Sequence, residues 1–183
     1  ERLLLCDFGF GRQCSIPLNP TYTAEICTLW YRPPELLLGS RSYGAEVDLW
    51  SAGLTVAEML LGRPLLPGDN DLDQLMRIFA LLGTPNARVW PGVERLPEYK
   101  PDTFPNYVGS TLDQRLTKVA ENDVAALDLL RSTLRYPPNS RLSAKRALRH
   151  PFLDVEVPPP PPHTTPSDAR HDVCSGADLL CQS

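Results

Sequence analysis

Histidine is scarce in this 183-residue chain, and His150, His163 and His171 show no ligand spacing, so no histidine-built metal centre is expected. Cysteine is present as Cys6, Cys14, Cys27, Cys174 and Cys181, an odd number with no CxxC pair. That pattern excludes a zinc or dithiol redox motif and reads as free thiols in a reducing compartment, nucleus or cytoplasm. A bridge between Cys174 and Cys181 is the alternative. No apolar run approaches the roughly 20 residues that span a bilayer. Basic residues are in deficit, 18 against 22 acidic for a net charge of −4, so neither nucleic acid nor a membrane surface is an expected partner.

Proline, by contrast, is abundant. There are 20 in the chain, roughly twice the average share of about 5%. Five stand consecutively at 158–162, in a segment from 154 onward with little to bury. The expected form is a polyproline-like and then disordered tail, residues 154–183, after one globular unit over residues 1–153. A proline-recognising domain is a conceivable reader of it, a plain disordered tail the simpler account.

Within 1–153 the patterning is mainly helical. Residues 47–61, "VDLWSAGLTVAEMLL", are apolar on nearly every side and predict a helix buried all round. Residues 71–82, "DLDQLMRIFALL", place Leu72, Leu75, Met76, Phe79 and Leu82 at three- and four-residue steps, with Gly83 as the stop. Residues 123–134 repeat the stripe through Val124, Leu127, Leu130 and Leu134, with Asn122 or Asp123 as cap. A last short helix is expected over 143–150, begun by Ser143 and ended by Pro151. Residues 86–107, with Pro91, Pro97, Pro101 and Pro105, predict an irregular connection. Residues 2–6 are a short apolar run that reads as one strand, and one strand does not stand alone. The fold class is thus a mainly α bundle with a residual β-strand.

That strand runs into Asp7-Phe8-Gly9, and "LWYRPPE" follows at 29–35. A tripeptide alone is weak, but an Asp-Phe-Gly after a strand followed by Pro-Pro-Glu is two ordered parts of a known signature, with a loop between them. Together with "PTYTAEICTLWYRPPELLLG" and "YGAEVDLWSAGLTVAEMLLGRPLLPGDNDLDQLMRIFALLGTPN", the chain resembles the C-terminal lobe of a cyclin-dependent protein kinase from about residue 2 to 152. "LRYPPNSRLSAKRAL" before a proline-rich tail is most similar to the cell-cycle-related kinase branch.

The resemblance implies roles for particular residues. Cys6 and Asp7 would lie at ATP, with Asp7 binding the Mg²⁺ that bridges its phosphates. An Asp serving only a turn is the plain alternative. Phe8 and Gly9 would set the packing and turn of the motif. Thr23 would be the activation phosphosite, with Arg12 as one guanidinium partner for its phosphate. Glu25, two residues after Thr23, argues against the Thr-x-Tyr loop of mitogen-activated kinases. Ile26, Cys27 and Thr28 would form the substrate segment, Thr28 supporting the catalytic base, and Cys27 weakens the expected preference for proline after the phosphorylated residue. Glu35 and Arg141 would form an internal salt bridge, and Asp48 would hold the catalytic-loop backbone. "GDNDLDQL" at 68–75 resembles a docking region for a small adaptor, and equally suits an acidic helix start. Lys145, Arg146 and Arg149 read as a solvated basic face.

The resemblance further implies a serine/threonine kinase using ATP and Mg²⁺, a cyclin-like activator, and protein substrates with Ser or Thr. A Gly-rich loop, a strand Lys paired with a helix Glu, and a His-Arg-Asp loop are not found in residues 1–183. The expectation is therefore a partial kinase domain, inactive alone because phosphoryl transfer depends on positioning groups. A non-catalytic module that binds substrates or adaptors is the alternative.

Overall fold

The computed structural model describes residues 6, 7, 9, 11, 27–117, 119 and 123–153. Among these the regular structure is helical, with no strand. The strand expected over 2–6 falls outside the described residues except for Cys6, and the proline-rich tail falls wholly outside them.

The α-helices whose bounds lie among the described residues are α1 Pro34–Leu37, α2 Glu46–Leu61, α3 Asp71–Leu82, α4 Leu112–Arg115, α5 Val124–Thr133 and α6 Ala144–Ala147. Short 3₁₀ turns at Leu29–Tyr31, Val93–Arg95, Pro101–Thr103, Pro138–Ser140 and Pro151–Leu153 punctuate the connections. Local chemistry accounts for the ends. Asn70 accepts from the Asp73 amide at 3.0 Å and Asp73 accepts from the Asp69 amide at 3.0 Å, a reciprocal cap that starts α3. Gly83, at φ 87°, closes it by donating to the Phe79 carbonyl at 2.8 Å. Asp123 begins α5 by accepting from the Ala126 amide. Ser143 begins α6 in the same way from Arg146, and that helix is shorter than the sequence pattern predicts.

α2 packs chiefly against α5. The close approach depends on Gly53, where a Cβ would come within 2.5 Å of Thr133 Oγ1. Thr133 is itself buried, its hydroxyl donating back to the Leu129 carbonyl at 3.0 Å. Around this contact lie Trp50, Leu54 and Ala57 of α2, Leu127 and Leu130 of α5, and Ile78 and Phe79 of α3. The irregular stretches add further aromatics to the core: Trp90 stacks on Tyr136 with centroids 5.5 Å apart, and Phe104 meets Phe79 of α3 edge-on at 5.2 Å.

Two expectations are corrected. α2 is not buried all round: Val47, Trp50, Gly53, Leu54 and Ala57 face the core, whereas Ala52, Thr55 and Met59 are exposed. An apolar composition states what a helix is able to bury; the neighbours decide which face is covered. The stripes of α3 and α5 are also rotated from the simplest reading. Leu72 and Val124, both in the first turn, point to solvent, while Ile78, Leu81, Ala126 and Leu129 are buried.

Candidate functional site

The site is built around the segment that leads into α1. Thr28 and Leu29 open a 3₁₀ turn in which the Tyr31 and Arg32 amides donate to their carbonyls, both at 3.1 Å. Pro33 and Pro34 then preset the extended-to-helical step into α1, Pro34 at its first position. Trp30, Tyr31 and Arg32 are each tied to the helical body. The Tyr31 hydroxyl donates to Glu58 Oε2 at 2.6 Å, and the Ser51 hydroxyl donates to the Tyr31 carbonyl at 3.0 Å, both from α2. Arg32 donates to Asp71 at the start of α3 at 2.9 Å and back to the Cys27 carbonyl at 3.1 Å. Trp30 donates from Nε1 to the Gly68 carbonyl at 2.9 Å and accepts at its own carbonyl from Gln74 at 3.1 Å.

Beneath the segment, Glu35 and Arg141 form a buried bidentate pair, with Arg141 Nη1 donating to Oε1 at 2.7 Å and Nη2 to Oε2 at 2.5 Å. The remaining guanidinium donors go to the carbonyls of Arg135, Glu46 and Tyr136, so all five N–H groups are used. The plane also lies over Trp50, 5.1 Å from its ring centroid. A buried ion pair owes little stability to its charge, but one saturated in this way fixes geometry.

Cys27 is half-buried, and burial pushes its thiol up, with the neighbouring Arg32 pulling the other way. It is held as a neutral thiol, a small weakly polar surface beside exposed Thr28. Asp48, in the first turn of α2, is exposed; desolvation by the atoms packed beside it raises its carboxyl, and its oxygens have no hydrogen-bond partner among the described residues.

At the other end, Asp7 is exposed and adopts φ 59°, the left-handed conformation, which Asp tolerates better than most residues. Its Oδ1 accepts from the Gly9 amide at 3.3 Å. A non-glycine residue held there is the kind of local strain that collects at functional positions. Among the described residues no group of three or more His, Cys, Asp and Glu is placed to hold a metal ion. A lone exposed carboxylate nevertheless fits Mg²⁺, which keeps several waters and takes one or two carboxylates together with substrate phosphates. Phe8, Arg12, Thr23 and Ile26 lie outside the described residues.

The geometry therefore brings together Cys27, Thr28, Glu35 and Arg141 with α2 and α3. A family model of the protein kinase domain matches residues 1–153. The chain belongs to the protein kinase family. In this kinase chain the matched region takes in the Asp7 turn, the anchored segment and the helical body as far as the last 3₁₀ turn.

Sequence reasoning missed two features of the kinase body. Gln74 is fully buried, although as a polar residue outside the apolar stripe of α3 it gave no hint of it. His150, assigned no role, is buried with Nε2 3.0 Å from Asp128 Oδ2, while Nδ1 accepts from the Phe152 amide at 3.3 Å. Asp128 lies 22 positions earlier, beyond the reach of any local pattern.

Proposed function

We propose that this protein is a serine/threonine kinase of the cyclin-dependent type, most similar to the cell-cycle-related branch, moving the γ-phosphate of ATP to protein Ser or Thr. The observation that supports this most is the anchoring of residues 27–32 to α2 and α3 through Tyr31, Arg32 and Trp30. A protein substrate needs a rigid edge against which its backbone is registered, because phosphoryl transfer gains its rate from positioning. In this reading Ile26, Cys27 and Thr28 receive the residue after the substrate hydroxyl, and the small Cys27 surface relaxes a demand for proline there. Asp7 would hold Mg²⁺, which neutralises phosphate charge when bound. Cys6 would line the ATP site, and Glu35, Arg141 and Asp48 keep the segment and its surroundings in register. Phosphorylation of Thr23, met by Arg12, would order the loop before this segment. A cyclin-like activator and a small adaptor at the start of α3 are the partners we propose, in the nucleus or cytoplasm.

The test is capture of the native protein with an antibody raised against residues 157–183, followed by assay with Mg-ATP and Ser-Pro peptides. Transfer by the wild type, lost in Asp7→Asn, supports the reading. A captured protein that binds such peptides yet transfers no phosphate would make it a non-catalytic binding module.

A further inference from the structure

We propose that Gln74 is a positioning residue for the protein substrate, acting through a closed ring of hydrogen bonds with Trp30 and Gly68. Gln74 is fully buried in the first turns of α3. Its Oε1 accepts from the Gly68 amide at 2.9 Å and its Nε2 donates to the Trp30 carbonyl at 3.1 Å. The ring closes because Trp30 Nε1 donates to the Gly68 carbonyl at 2.9 Å. Each of the three residues gives one hydrogen bond and receives one. Only one orientation of the Gln74 amide serves both partners, since a flipped amide would set N–H against N–H.

The ring is also sterically exclusive. A Cβ at Gly68 would stand 2.7 Å from Gln74 Cα and 2.8 Å from Gln74 N, so backbone meets backbone with no room for a side chain. Trp30 lies two residues beyond Thr28, and the other tethers grip Tyr31 and Arg32. The ring is thus the hold on Trp30, beside the hold that Arg32 has on the Cys27 carbonyl. Without it, Trp30 loses both of its tethers, and residues 27–30 are held through the bonds of Arg32 to the Cys27 carbonyl and of the Tyr31 amide to the Thr28 carbonyl, both at 3.1 Å. Loss of Gln74 takes this partner from the Trp30 carbonyl and leaves the Gly68 amide only its longer bond to the Leu66 carbonyl at 3.1 Å, so the segment shifts to rehydrate the carbonyl.

The proposal rests on the reading of residues 26–28 as the substrate segment, and its test has two arms. In the 183-residue chain, hydrogen exchange of the Gly68 and Tyr31 amides is compared among wild type, Gln74→Leu and Trp30→Phe. Both amides exchange about tenfold faster in the variants, whereas the Leu134 amide at the end of α5 does not change. If Gln74→Leu also releases Leu134, its fold is lost and Trp30→Phe, which removes a single bond from a partly exposed indole, decides alone. Unaltered exchange at Gly68 and Tyr31 overturns the proposal.

In the cell-expressed, antibody-captured protein, KM for a Ser-Pro peptide rises about tenfold in either variant while KM for ATP stays within about twofold. The double variant is no worse than either single one, because one ring is broken only once. An unchanged peptide KM, an equal rise in both KM values, or additive losses overturn it. A wild type that transfers no phosphate removes the kinase reading alone. Peptide affinity by fluorescence anisotropy then decides, with a loss of about tenfold in Gln74→Leu expected and no loss contradicting the ring's role.

Discussion

Glu35 and Arg141 are 106 positions apart in the chain and meet through two hydrogen bonds with both side chains nearly sealed from solvent. One comes from the first turn of α1, the other from the loop before α6. Their pairing joins the end of the anchored segment to the last part of the helical body, and the segment's geometry depends on it.

Removing one partner leaves an uncompensated buried charge. Arg141→Ala is expected to cost about 3–5 kcal/mol, read from denaturant midpoints. Arg141→Lys recovers little, since a single ammonium cannot serve Glu35 and three carbonyls from one plane. A loss below about 1 kcal/mol in the alanine variant would show that the pair is solvated.

Gly53→Ala sets two effects against each other. Alanine in a helix interior gains about 1 kcal/mol over glycine. Here its methyl would meet Thr133 Oγ1 at 2.5 Å and Thr133 Cβ at 3.0 Å, and overpacking costs about 1–3 kcal/mol. A net loss in thermal stability is expected, smaller in a Thr133→Ala background that removes the nearest atom. Equal losses in both backgrounds would mean that the contact is not the cause.

Tyr136 is buried and donates its hydroxyl to the Gly83 carbonyl at 2.5 Å. Burial pushes its phenol far above the usual range. The raised folded value means its contribution is fully present below the unfolded pKa of about 10 and lost progressively as pH rises beyond it. Melting at stepped pH from 8 to 11 checks this, with Tyr136→Phe less stable at pH 8 and falling less steeply above 10. Parallel curves would assign the alkaline loss elsewhere.

On the surface, Arg131 grips Asp113 with Nε at 2.8 Å and Nη2 at 2.6 Å. Its hydrogen bond holds the Asp113 carboxyl below the ordinary carboxylate range. The associated stabilisation is present above about pH 3.9 and lost as pH falls through the depressed folded value. An NMR titration should find Asp113 low in the wild type and ordinary in Arg131→Ala, with the denaturant midpoint at neutral pH nearly unmoved because both groups are exposed. An unshifted Asp113 in the wild type contradicts the bidentate contact.

The sequence by itself determined the helical character of the body and the bounds of α3. Asn70, Asp73 and Gly83 act within a few residues of one another, and capping is a local energy. It also carried the motifs, Asp7-Phe8-Gly9 and "LWYRPPE", through which the chain resembles a kinase, a family to which the protein kinase domain match assigns it. Only the tertiary structure decided which faces are covered. Leu72 and Val124 fit their stripes and lie in solvent, while polar Gln74 is sealed inside. The closed ring of Trp30, Gly68 and Gln74, the contact of Gly53 with Thr133 and the pairing of His150 with Asp128 likewise join residues that no periodicity relates. Periodicity states a preference for burial, but satisfying a buried amide or seating a glycine against a threonine depends on what the rest of the chain brings alongside.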